Sequence, residues 1–309
     1  MRKEVVAIAC GDIHLSLMPP VARSEEPDWL DAQGRILDQV HRLAWDHKAP
    51  ILCTGDVFDR WNSPPELINW AMRRVPRMYS IPGQHDLPLH RLDLIHKSAY
   101  RTLAVYGELV DVDEGLYDLP PGEMVRIEGS QLTIVQGFPW GVPLTPSGRG
   151  VQGLKIAILH QYIWVKGKSY PGAPKDHKLS SLKGLDGWDV VVTGDNHQGF
   201  LAKRGTTTIF NCGCLIRRKS DEINYQPQVG IIYEDGSVEP HLLDCSADKI
   251  KSTSPAREPE ENMGLTDFLK ELTKLQGAQL DFKEAMKRAL VDQKPSEEVR
   301  QLILEAMDE

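Results

Sequence analysis

The sequence predicts an α/β fold of two mixed β-sheets packed face to face, with helices flanking them. Three observations lead there. Short β-rich apolar runs recur along the chain, amphipathic patterns separate the first three, and the later runs are joined by hairpin turns. The run at 5–9 leads straight into GDIH, 51–54 into GDVFD, 78–81 into PGQHD, 156–159 into His160, and 190–193 into GDNH. Such brief runs have the length and composition of buried strands. Between the first two, Trp29, Ile36, Leu37, Val40, Leu43 and Ala44 recur at helical spacing, the apolar stripe of a helix laid on a sheet. A second helix is expected to start at Ser63 as N-cap, with Pro64 and Pro65 in its first turn and Leu67, Ile68, Ala71, Met72 and Val75 on one face. Strand, helix, strand is a βαβ unit, so part of the sheet is parallel. MVRIEG followed by QLTIVQG, and later VGIIYEDGSVEPHLL with Asp235-Gly236 at its turn, read as hairpins. Parallel and antiparallel pairing together make the sheets mixed.

After Leu243 the composition changes. The expected division is a body over 1–245, a polar, proline-containing linker over 246–263 and a short helical appendage over 264–309. In the last segment Leu265, Phe268, Leu269, Leu272 and Leu275 form one stripe, and Phe282, Ala285, Met286, Ala289 and Leu290 another. Val299, Leu302, Ile303 and Ala306 form a third. Each stripe needs something to bury against, either the protein's own body or a partner.

Composition narrows the function classes. With 41% hydrophobic and 26% charged residues, the chain has the apolar content of a packed core, so disorder throughout is excluded. Its apolar runs are too short to cross a bilayer and the N-terminus lacks an apolar signal region, so no membrane partner and a cytoplasmic location are expected. Cys10, Cys53, Cys212, Cys214 and Cys245 contain no C-x-x-C pair and are expected to be reduced, mostly core thiols. A net charge of −8 argues against holding nucleic acid by bulk charge alone. It does not argue against a nuclease, because bound cations and a basic run such as Arg217, Arg218 and Lys219 supply positive charge where it is needed.

The polar residues that follow the strands carry the chemistry. Open α/β sheets place their ligand sites at the carboxyl ends of strands, and that is where these clusters stand. Asp12 and His14, two apart, can grip one metal with a hard oxygen and an imidazole nitrogen. Asp56 offers a carboxylate able to bridge two metals, the third strand adds Gln84 and His85, and the later strands add His160, Asp195 and His197. One such cluster is weak on its own; five in succession have the makings of a dinuclear site.

These residues make the chain similar to the calcineurin-like metallophosphoesterase superfamily, whose series runs D-x-H, G-D-x-x-D, G-N-H-D, H and G-H-x-H. The resemblance spans about 5–243 and implies the αββα sandwich of that superfamily. Within it, GDIHL, GDVFDR, HDLPLH and IFNCGCLIRR look most like the SbcD-type DNA repair exonucleases. In the last of these, Cys212 and Cys214 stand where the family's turn has proline and serine. The resemblance implies two divalent metal ions, Mn²⁺ before Mg²⁺. Asp12, His14 and His197 would hold the first, Gln84, His160 and Asp195 the second, and Asp56 would bridge them. It further implies in-line attack of water on phosphorus, His85 as general acid, and substrate contacts at His90, Arg217 and Arg218. Asp86 either orients His85 or caps its loop. Gln84 replaces asparagine and Asp195 replaces histidine, both on the second metal. Each exchanges one donor for another, which favours retained activity.

The function implied is cleavage of DNA ends in the 3′-to-5′ sense, with single-strand endonuclease activity as an accompaniment, in DNA repair. The implied partners are DNA and an SMC-like coiled-coil ATPase of the SbcC type docked on the C-terminal helices, with a homodimer also compatible. Two alternatives remain at this point: a phosphomonoesterase or cyclic-nucleotide phosphodiesterase of the same superfamily, and a catalytically weak scaffold that binds DNA or an ATPase.

Overall fold

The structure is a computed structural model that describes residues 3–109, 116–119, 124–127, 132–147, 152–170 and 173–251. All of them lie within one compact unit, Met1–Ser252. Among the described residues, twelve strands form two six-stranded sheets. In the first, β1 (Val5–Cys10), β2 (Ile51–Cys53), β3 (Met78–Ser80) and β4 (Leu116–Asp118) run parallel, and the hairpin β11 (Gln228–Tyr233) and β12 (Val238–Leu242) joins antiparallel to β1. The second orders β5 (Met124–Ile127), β6 (Thr133–Phe138), β7 (Leu154–Leu159), β8 (Val190–Thr193), β10 (Thr207–Asn211) and β9 (Phe200–Arg204), with a parallel centre and antiparallel edges. Both are mixed, as the sequence predicts. Both expected hairpins form, the second turning at Gly236 with a φ of 74°.

Strand alternation divides the core into layers. On β1, Ala7 and Ala9 face the second sheet while Ile8 and Cys10 face the helices. On β7 and β8, Ile156, Ile158, Val190 and Val192 fill the space between sheets, and Ala157, Leu159 and Val191 point outward. The small alanines opposite branched residues let the sheets approach closely. Helices α1 (Trp29–His47), α2 (Pro65–Arg74) and α3 (Ala99–Leu109) bury their apolar stripes against the first sheet. Among the described residues, the outer face of the second sheet is covered by loop side chains, with Leu144, Ile163, Leu179, Leu182 and Trp188 around Phe138 and Ile209. The five cysteines are free and buried, as expected.

Two expectations need correction. Helix α2 starts one residue later than predicted, with Pro64 as its N-cap, because the Ser63 hydroxyl donates to the Arg60 carbonyl instead of capping. The expected linker is not free from 246. Arg23, fully buried, pairs with Glu26 at 2.6 Å and Asp248 at 2.9 Å, and the Lys251 amide donates to the Ala22 carbonyl. The chain as far as Lys251 is therefore tied to the body, since a buried arginine must find carboxylates. The rest of that linker and the three apolar stripes lie outside the described residues. Among the described residues no helix is long and apolar enough to cross a membrane. Arg23→Met should destabilise the fold by about 3 kcal/mol, because it removes the buried cation that Glu26 and Asp248 share, although Arg35 and Arg217 remain beside them; urea denaturation would measure it.

Candidate metal centre

The clusters at the strand ends converge in one place, and backbone pairing beyond the strands brings them there. The loop after β1 runs alongside the loop after β2: Asp12, His14 and Leu15 donate their amides to the carbonyls of Gly55, Asp56 and Val57. Asp12, His14, Asp56 and Asp195 all adopt left-handed backbone, with φ of 50°, 52°, 51° and 70°. That conformation costs about 1–3 kcal/mol for a non-glycine residue and persists where the surroundings enforce it. Four such residues in one cluster mark the place where the fold stores strain. Gly83 is required by the same crowding, since a Cβ there would lie 2.1 Å from Asp56 Oδ1.

The expected first-site residues meet: His14 Nε2 and His197 Nε2 are 3.1 Å apart, and Asp12 offers an oxygen within 4.8 Å of both. The expected second-site residues also meet. Gln84 Oε1 lies 2.6 Å from His160 Nε2, and Gln84 Nε2 donates to Asp195 Oδ1 at 2.6 Å. The longer glutamine side chain thus reaches both neighbours. Asp56 Oδ2 stands between the groups, 3.7 Å from His14 Nε2 and 3.6 Å from His160 Nε2. His160 donates from Nδ1 to the Thr54 carbonyl, and a carbonyl can only accept, so Nε2 is turned toward Asp56 and Gln84.

Does this donor set fit divalent cations? Among the described residues, only two buried side-chain atoms lack a hydrogen-bond partner, Asp56 Oδ2 and His14 Nδ1, and both belong to this cluster. An orphaned, buried carboxylate oxygen between two imidazoles is placed as a cation ligand would be. The electrostatics agree. Burial pushes Asp12 and Asp195 up, and the charge of Asp56 adds to it, so these two resist holding their charge beside a third carboxylate. Burial alone would lower His160, but the charges of Asp56, Asp12 and Asp195 push it up to about 10. Its proton stands where positive charge is demanded. Burial lowers His14 well below its ordinary value, and burial with nearby Lys219 takes His197 to about 4, so both rings are neutral and able to ligate at neutral pH. The residues present fit a pair of divalent ions.

His85 is exposed beside the cluster, its ring 4.8 Å from that of His14. Its Nδ1 donates to the Asp59 carbonyl at 2.8 Å and its amide to Asp56 Oδ1 at 2.9 Å, which leaves Nε2 free. Asp86 is the loop's fastener. Its buried carboxylate accepts from the amides of Gly83, Val57 and Phe58 and so joins the loops after β2 and β3. Burial, and then the charge of Asp56, raise it to about 7.

A sequence profile described as calcineurin-like phosphoesterase matches residues 6–199, well over half of the chain. The protein is a calcineurin-like phosphoesterase. It is a hydrolase of phosphoester bonds, from a family that uses divalent metals, and its donor cluster could hold them. No curated protein matches the chain. Among solved structures, it is similar to an archaeal phosphodiesterase at 12% identity and a TM-score of 0.35, covering 77% of this chain and 99% of that one. A metallophosphoesterase from Sphaerobacter thermophilus gives 14% identity and a TM-score of 0.36, over 77% and 88%. The phosphoesterase Yfce from E. coli gives 14% and 0.33, over 77% and 99%.

The remaining expected site residues part company. Arg218 lies at the edge of the phosphoesterase site, its Nη1 donating to the His14 carbonyl and pairing with Asp59, both at 2.7 Å. Arg217 does not reach the site, which corrects its expected substrate contact. It is buried and spends its nitrogens on Asp248 and on the carbonyls of Ile223 and Cys245. His90 is exposed and set edge-on to Trp140 at 6.4 Å, and Trp140 in turn lies 6.3 Å from His160. Sequence reasoning missed Trp140, although it follows the end of β6 just as the ligands follow theirs. The closing turn after β10 is carried by Asn211, whose Oδ1 accepts from the Gly213 amide, and by Gly213 at a φ of 74°. Cys212 and Cys214 are tolerated there because neither supplies that bond.

Proposed function

We propose that this phosphoesterase is a Mn²⁺-dependent DNA phosphodiesterase that degrades double-strand ends in the 3′-to-5′ sense. The observation that carries the reading is His85: an exposed imidazole with one nitrogen tied to a carbonyl and the other free, set against a seven-donor cluster of which Asp12, His14, Asp56 and His160 are buried. A phosphodiester has a poor alkoxide leaving group, which needs a proton donor at that position. Asp12, His14 and His197 would hold one ion, Gln84, His160 and Asp195 the other, and Asp56 both. Such paired ions supply positive charge for the phosphate and an acidified water. Asp195 makes the second set of donors richer in hard oxygen, which favours Mn²⁺ or Mg²⁺.

DNA as substrate is supported by basic groups at the site of an otherwise acidic chain. Arg218 borders the cluster, Lys219 is close enough to His197 to depress its pKa, and Arg60 is exposed nearby on the loop that carries Asp59. Phosphates on either side of the scissile one would meet them. The SMC-like ATPase partner rests on the amphipathic stripes from Leu265 onward and on the family resemblance.

The test is hydrolysis of end-labelled linear double-stranded DNA and of bis(4-nitrophenyl) phosphate with Mn²⁺. Cleavage of both is expected, with mononucleotides released from the DNA. If only the small ester is hydrolysed, the DNA assignment fails; one bound ion per chain and no cleavage of either substrate would indicate a scaffold.

A further inference from the structure

We propose that the groove between the loop after β1 and the segment leading into α2 binds the leaving nucleoside of the substrate, a reading that rests on the phosphodiesterase assignment above. The groove is a cavity of about 520 Å³. That lies within the range of roughly 300–1,000 Å³ typical of small-ligand sites. Leu17 and Pro20 line one wall, Asn62 and Pro64 the other, and Asp59 and Arg218 the end nearest the metal centre.

Its position identifies its occupant. The Asp59 that closes the groove is the residue whose carbonyl holds His85 Nδ1. The oxygen that leaves must lie at His85 Nε2 to be protonated, and the groove that Asp59 closes adjoins that position, where it can take what is attached to the oxygen. Arg218, pinned there by Asp59 and the His14 carbonyl, gives this end positive charge suited to a phosphodiester. Leu17, Pro20, Pro64 and Leu67 give the walls beyond it apolar surface that suits the flat face of a base, and Arg60 and Asn62 add polar groups beside it. They are also preformed. The Ser16 amide donates to Gln33 Oε1, its hydroxyl accepts from Trp29 Nε1, and Ser63 bonds back to Arg60, so both walls are anchored to helices or to themselves. A preformed groove orders the leaving nucleoside at little entropic cost.

Two esters that share the retained 5′-thymidylate separate this groove from the rest of the site: thymidylyl-(3′→5′)-thymidine, which expels a nucleoside, and thymidine 5′-(4-nitrophenyl phosphate), which expels a nitrophenolate. Asn62→Trp places an indole in the groove from an exposed position. It is expected to lower kcat/KM for the dinucleotide about tenfold more than for the nitrophenyl ester, the scale of losing contact with one base. An equal change on both esters overturns the proposal. A second readout does not depend on turnover: saturation-transfer NMR of free thymidine on the metal-free full chain. Signal with wild type and its loss in Asn62→Trp supports the groove; equal signal from both proteins, or none from wild type, overturns it. If wild type binds thymidine but hydrolyses neither ester with Mn²⁺, the failure belongs to the phosphodiesterase assignment.

Discussion

Replacing Asp56 by asparagine is expected to give a folded protein with a phosphodiesterase rate lower by about a thousandfold and with loss of bound Mn²⁺. Asp56 is the one residue whose two oxygens serve both halves of the centre. Oδ1 accepts the His85 amide and positions the loop after β3, while Oδ2 stands unpartnered between His14 and His160. Burial works to raise this carboxyl, but the imidazoles of His160 and His14 outweigh burial and hold it below the ordinary range, so it enters the centre ionised. Asparagine keeps the Oδ1 contact and removes the charge, so the fold survives and the shared ligand does not. Metal content by mass spectrometry, read beside the rate, distinguishes this from misfolding. Full metal occupancy with a reduced rate would remove Asp56 from the bridging position.

His85→Ala is expected to act differently. The His85 ring meets the donor cluster edge-on at His14 but hydrogen-bonds to the Asp59 carbonyl and to none of the seven donors, and its amide bond to Asp56 is unaffected by truncation. Metal content should therefore stay at the wild-type level while kcat on DNA falls by about 10²–10⁴-fold. The loss should shrink on 4-nitrophenyl esters, whose leaving group departs without a proton. Equal losses on alkyl and nitrophenyl esters would mean that His85 stabilises charge on the phosphate and does not protonate the leaving oxygen.

Much of this site was legible because every ligand follows the end of a strand, seven ligands on five strand ends. The pattern of apolar run followed by polar residue is local, so Asp12, His14, Asp56, Gln84, His160, Asp195 and His197 could be found one motif at a time, and parallel pairing of β1 with β2 and of β7 with β8 then forces their ends together. What was not legible depended on distant partners. Arg217 and Arg218 are adjacent and identical in type, yet one is drawn inward by Asp248 and the carbonyl of Cys245 while the other turns to Asp59 and His14. Helix α3 was not predicted: Ala99, Tyr100, Leu103 and Ala104 recur at helical spacing, but alanine and tyrosine mark a stripe weakly until the first sheet covers them. Trp140 looked like one aromatic among many until β6 placed it beside His160.

By itself the sequence determined most of the strands, β4 and β9 apart, and the order in which donors arrive, because these depend on residue type and local spacing. Only the tertiary structure decided the left-handed turns that aim Asp12, His14, Asp56 and Asp195, the fastening of two loops by Asp86, and the groove that ends at Asp59. The reason is physical: a strained backbone and a buried carboxylate persist only when neighbours from other strands satisfy them, and those neighbours are far away in the chain.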